Sequence, residues 1–226
     1  MARQTTPPRL HVIFAREAHE AVIFRRGPAA WCQVIRWDTR HDTFYPGAWI
    51  RGRIYPEKCD LSPDGDLLLT FIHQGRKIAT SYTDSWSAVS RSPWLEAIGL
   101  WPQGTTYGGG GRFIGNRSIV IRSCPLKTHP DHPGIGLKVS FGDAELQLIE
   151  PHDDSLGLEA AAWSCRDQRG RLIYAQNGRL MLKRRSKDGD LCLSDFNGTK
   201  LDPQPAPKWA GRPLTQPKTP ATRKKI

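Results

Sequence analysis

Apolar residues along this chain come in short runs of strand length, many of them β-branched or aromatic, and each run is bounded by turn chemistry. Leu10–Phe14, Ala21–Phe24 and Trp31–Trp37 read as strands on that basis. Asp38-Thr-Arg-His-Asp42 is a polar turn, after which Thr43-Phe44-Tyr45 resumes an extended pattern that Pro46-Gly47 is expected to break. The clearest local signal is Cys59-Asp-Leu-Ser-Pro-Asp-Gly-Asp-Leu-Leu-Leu-Thr-Phe-Ile72. There Pro63 presets φ, Asp64 can accept from nearby backbone, Gly65 supplies positive φ, and an apolar run follows at once. Ala162–Ala175 repeats the design, and setting Gly65 over Gly170 lays Leu67-Leu68-Leu69 over Leu172-Ile173-Tyr174. An Asn177-Gly178 hairpin turn leads into Arg179–Leu182, Ser186-Lys-Asp-Gly189 makes another turn, and Leu191–Phe196 another strand.

The middle of the chain is less regular. Ser92–Trp101 is the one stretch that predicts a helix, with Ser92 as cap and Pro93 at the first position. Gly108–Gly111 reads as a mobile loop; Ser118–Arg122, Gly136–Phe141 and Glu145–Ile149 read as strands. The expected fold class is all-β, mostly antiparallel, a propeller-like or related multi-hairpin architecture with at most one short helix. Residues 1–9 are expected to be flexible, 10–202 to form one β-rich domain, and 203–226 to be a proline-rich basic tail with Trp209 its anchor on the body.

Composition narrows the class further. The 226 residues include eight tryptophans and seven phenylalanines, which favours a folded chain. No run of apolar residues is long enough to span a membrane, and residues 1–9 lack a secretory stretch, so no membrane partner is expected. Five scattered cysteines with no Cys-x-x-Cys pair point to reduced thiols and a cytoplasmic protein. The net charge of +11 is concentrated in the tail, where Lys208, Arg212, Lys218, Arg223, Lys224 and Lys225 stand with no acid.

That charge raises nucleic acid as a partner. Lys183, Arg184, Arg185 and Lys187 on a predicted hairpin, with Arg223, Lys224 and Lys225 in the tail, are the candidate phosphate contacts. Tryptophan and arginine alternate at Trp31–Trp37 and Trp49–Arg53, where rings could stack beside cations; the competing reading makes those tryptophans core. Cys124, His129, His132 and His152 are metal-ligand types, in a spacing that matches no standard zinc pair, within what reads as an exposed proline-bearing loop. Gly108–Gly111 with Arg112 fits neither phosphate-binding glycine motif, and no nucleophile elbow or His-Glu-x-x-His pair is present.

The strand–Ser62-Pro63-Asp64-Gly65–strand unit resembles blades of WD-like β-propellers, and Trp37-Asp38 is similar to the Trp-Asp that closes a blade strand there. That resemblance implies four or five blade-like units in this length. Trp31…Ile35-Arg-Trp-Asp-Thr, Gly52-Arg-Ile-Tyr55 with Cys59–Gly65, and Gly108–Gly111 with Phe113 also resemble a bacterial family of uncharacterised proteins, which implies no catalytic residues. The reading is a non-enzymatic interaction module, a β scaffold that binds another protein, with no cofactor. The alternatives are a nucleic-acid-binding protein using the tail and the 183–187 hairpin, and a metal-dependent hydrolase.

Overall fold

The computed structural model describes residues 6–27, 29–75, 81–143, 158, 161–184 and 189–214. These form four sheets that follow one another along the chain. The first is an antiparallel meander of β1 (Arg9–Phe14), β2 (Glu20–Arg26), β3 (Trp31–Asp38) and β4 (Thr43–Arg51). The second joins β5 (Arg53–Ile54) and β6 (Asp60–Leu61) to β7 (Leu67–His73), β8 (Ser85–Arg91) and β9 (Ala97–Pro102). The third holds β10 (Gly111–Gly115), β11 (Ser118–Ile121) and β12 (Lys138–Phe141), the last of them parallel to β11. The fourth is β13 (Trp163–Arg166), β14 (Leu172–Gln176), β15 (Arg179–Leu182) and β16 (Leu191–Asp195). The only helical turn among the described residues is a 3-10 turn at Pro56–Lys58.

Three hydrophobic clusters stack these sheets in the order fourth, first, second, third. Side chains alternate across a strand, so in β2 Ala21 and Ile23 meet the fourth sheet while Val22 and Phe24 meet the second. In β7, Leu68 faces the first sheet, whereas Leu67 and Leu69 face the third. A sheet covered on both faces needs apolar residues at every position, which is why these strands read as unbroken runs.

The repeated turn falls at the same place in two sheets. Gly65 (φ +81°) lies between β6 and β7, Gly170 (φ +72°) between β13 and β14, and each donates its N–H three residues back at 2.9 Å, to Ser62 O and Asp167 O. A Cβ on Gly170 would meet nothing within 4 Å, whereas one on Gly65 would lie 2.6 Å from Glu20 Cβ. Gly170→Ala is therefore expected to cost about 1 kcal/mol, from φ alone. Gly65→Ala should cost roughly twice that or more, because Glu20 is held by Arg36 at 2.8 Å and yields little. Urea denaturation of the two variants checks the ranking.

Two sequence expectations fail in the first and second sheets. Residues 92–101 form no helix: the Ser92–Pro93 peptide is cis, and Ala97–Pro102 is a strand on β8. Pairing partners outweigh the capping signal there, with Ile98 and Trp101 in the core. Pro46-Gly47 does not end its strand, since β4 runs through both with a bulge opposite Gln33 and Ile35. Edge strands tolerate proline, and glycine lets Pro93 approach, where a Cβ on Gly47 would sit 2.4 Å from Pro93 O.

The tail is held, but not by Trp209, which is 47% exposed. Ala210 and Leu214 are buried instead, and the Arg91 guanidinium donates to the carbonyls of Trp209, Ala210, Arg212 and Pro213. Leu214 joins the core shared by the second and third sheets, and its N–H donates to Ile135 O. No helix among the described residues is long and apolar enough to cross a membrane.

Candidate functional site

One turn of each sheet, at residues 15–19, 62–66, 116–117 and 167–170, lies beside its neighbour's. Gln168, in the β13–β14 turn, donates its amide to the carbonyls of Ala15, Ala18 and Glu20 at 2.9–3.0 Å and accepts from Thr39 Oγ1. Glu17 N–H donates to Pro63 O at 2.9 Å, and Asp64 N–H to Asn116 Oδ1 at 3.0 Å. Arg171 adds a second tie between the fourth and first sheets, with Asp167 on one side and both oxygens of Asp42 on the other. Arg25, itself buried, donates across the same joint to Phe196 O. These turns tie the four sheets together at one end, and Arg25 ties the fourth sheet to the first toward the other.

Arg16 and Asp60 close the joint between β6 and β10. Arg16 donates to both Asp60 oxygens at 3.2 Å and to Phe113 O at 2.7 Å, while Asp60 accepts from Phe113 N–H at 2.7 Å. Together they satisfy the edge of β10 as a neighbouring strand would. Burial pushes the Asp60 carboxyl up, against the pull of Arg16.

A groove runs beside β1, walled by β13 and the Pro56–Lys58 turn. Its upper part, about 450 Å³, is lined by His11 to Arg16, Pro56, Glu57 and Trp163 to Gln168. Its lower part, about 200 Å³, shares His11, Pro56 and Glu57 and adds Arg9, Arg26 and Arg53 over a floor of Leu10, Phe24, Cys32 and Ile54. The groove follows the six residues of β1, roughly 20 Å at the usual strand rise. Both β1 and β13 are edge strands of their sheets.

His11 stands where the two parts meet, with its ring 6.1 Å from that of Trp163 in an edge contact. Burial holds the imidazole down, to about 4, so it lines the groove as a neutral hydrogen-bonding group near pH 7. The unfolded chain takes up this proton near pH 6.5, before the folded one does. Stability is therefore full above pH 6.5 and falls as pH drops toward 4, by about 1–3 kcal/mol from His11. Denaturant midpoints at pH 7 and 4.5 should show a smaller drop for His11→Gln than for the natural chain.

The residues singled out by sequence lie elsewhere. Lys183 pairs with Asp190 at 3.4 Å and Arg184 N–H donates to the same carboxylate; Arg185, Lys187, Arg223, Lys224 and Lys225 lie outside the described residues. His129 and His132 do come together, with ring centroids 5.7 Å apart, in a turn whose main chain is hydrogen-bonded to Leu100 of β9 rather than in a free loop. His129 is buried against Tyr82, stacked at 4.0 Å. Its Nδ1 lies 3.3 Å from the Asp131 N and its Nε2 2.7 Å from Ser81 Oγ, so both ring nitrogens have neighbours within the chain. His132 Nδ1 contacts Ala97 O and Nε2 faces Tyr82 OH. Cys124 is exposed, His152 lies outside the described residues, and no three metal-capable side chains gather among the described residues.

Gly108–Gly111 is a close-packed seam rather than a mobile loop. A Cβ on Gly109 would lie 2.1 Å from the Phe71 ring, and one on Gly110 2.1 Å from Lys58 O. The N–H of Gly109 goes to Arg122 O and that of Gly110 to Ser87 Oγ, so neither is free for a phosphate. Of the tryptophans weighed as stacking faces, Trp37 is core, stacked on Phe44, while Trp49 lies under the Arg25 guanidinium at 5.6 Å. Sequence reading missed the groove because Arg9, Arg26 and Arg53 are far apart in the chain. Only Arg53 stood in a segment weighed for binding. No protein-family model, curated protein or solved structure matches the chain.

Proposed function

We propose that this protein is an interaction module, a rigid β scaffold whose axial groove receives an extended segment of another protein. The observation that supports it is the tying of successive turns through Gln168, Glu17 and Asp64, which holds the groove walls in one arrangement before any partner arrives. A preformed site binds without first ordering its own chain. Edge strands beside such a groove suit a peptide added in extended form, through main-chain bonds and alternating side chains. The likeness to WD-like blades belongs to the same proposal. It is supported by the place of the Ser62–Gly65 turn, between the short β6 and the long β7 it pairs with, as Gly170 lies between the paired β13 and β14.

The competing partner is nucleic acid, held by the tail charge. Capture from host extract onto the immobilised chain, with and without nuclease, separates the two. A protein retained after nuclease treatment, with weak dependence on salt, is the expected result. Loss on nuclease treatment, with affinity falling steeply as salt rises, would reverse the assignment.

A further inference from the structure

The lower mouth of the groove is charged in a way that folding does not explain. Arg9 and Arg26 are directly opposite one another on β1 and β2, both exposed, and like charges so placed are destabilising. Arg53 reaches the same pocket from the second sheet, its guanidinium 4.4 Å above the Tyr55 ring. None of the three makes an ion pair among the described residues, whereas Arg16, Arg36, Arg171 and Arg179 each do. Glu57 is the one carboxylate in the lining, so three guanidiniums against it leave a net charge of two positive. Beneath them Leu10, Phe24, Cys32 and Ile54 are all buried, an apolar floor over which charge acts more strongly than in open water.

We propose that Arg9, Arg26 and Arg53 form a binding site for a phosphate monoester dianion. Guanidinium groups match phosphate oxygens in pairs, and three of them from three strands can close around one tetrahedral group. The repulsion between Arg9 and Arg26 is then relieved in the bound state, so a defect of the free fold becomes part of the affinity. A dianion balances the net charge of the pocket, which a phosphodiester with its single charge does not. The inference deepens the interaction reading by naming the group that a partner would present, and it is tested on the free protein, so either can fail alone.

The test uses the full chain and three variants, Arg9→Gln, Arg26→Gln and Arg53→Gln, titrated with inorganic phosphate and with phenyl phosphate at constant ionic strength. Thermal melts and the ring signals of His11, which lines the pocket, are the readouts. Phosphate at ten times its dissociation constant should raise the melting temperature of the natural chain by about 3–5 °C and shift the His11 signals saturably. Each variant should bind phosphate at least tenfold more weakly. In phosphate-free buffer, Arg26→Gln should melt about 1–2 °C higher than the natural chain, since the facing charge is gone. A site that merely supports the fold would give the opposite sign. Phenyl phosphate is expected to bind at least as tightly as free phosphate, whereas markedly weaker binding would restrict the site to the free ion and overturn the monoester. The proposal is overturned by no saturable response of the natural chain, by equal responses in all four proteins, or by a single-stranded oligonucleotide that binds the site more tightly than either phosphate.

Discussion

Gly110→Ala is expected to be among the most damaging single methyls at the described glycines, with a loss of roughly 3 kcal/mol or more, or failure to fold. The added Cβ would lie 2.1 Å from the carbonyl oxygen of Lys58 and 2.6 Å from its Cβ, at φ +74°. Neither neighbour can move cheaply. Lys58 is fixed because its ammonium donates to Thr106 O and Gly108 O and lies 4.7 Å from the Phe71 ring centroid. Phe71 is fully buried and fills the space beside Gly109. The seam joins the second sheet to the third, so its loss should uncouple them. Circular dichroism melts of Gly110→Ala beside Gly142→Ala supply the check. Gly142 also has a positive φ, but no atom lies within 4 Å of its would-be Cβ, so a similar loss in both would remove the packing argument.

Ending the chain after residue 206 is expected to cost about 2–4 kcal/mol, whereas ending it after residue 214 should cost little. The shorter form loses Leu214 from the core and the buried Ala210, and it strips the Arg91 guanidinium of four carbonyl acceptors. Burial and neighbouring Arg117 and Arg212 already hold the Arg91 pKa below the usual arginine range, so a charge left there without acceptors adds to the loss. The longer form keeps every one of these contacts. Urea midpoints of the two truncations decide the matter, and equal midpoints would mean that residues 207–214 do not brace the body.

The strands were legible because sheets covered on both faces demand apolar residues at each position, and Val22 to Phe24 or Leu67 to Leu69 satisfy both neighbours at once. The repeated turn was legible because Gly65 and Gly170 need positive φ, a requirement local to four residues. What escaped was set by distant partners. Ser92-Pro93 carries the signature of a helix start, yet the β8 ladder takes residues 97–102. Pro46 reads as a strand breaker only if its strand is interior, and β4 is an edge. The proline-rich tail reads as loose until Arg91, more than a hundred residues away, is seen to collect its carbonyls. The groove was illegible for the same reason. Arg9 meets Arg26 through the register of a hairpin, and Arg53 joins them only once the second sheet stacks on the first.

Photocrosslinking from inside the groove is the most direct test of the binding assignment. A benzophenone side chain placed at Glu57, exposed and lining both parts of the groove, is compared in host cells with one at Tyr107, which is 94% exposed and lines none of it. The account predicts a discrete protein adduct from position 57, resistant to nuclease and absent from position 107. An adduct from position 107 with none from 57, or a product from 57 that nuclease digests, would contradict it.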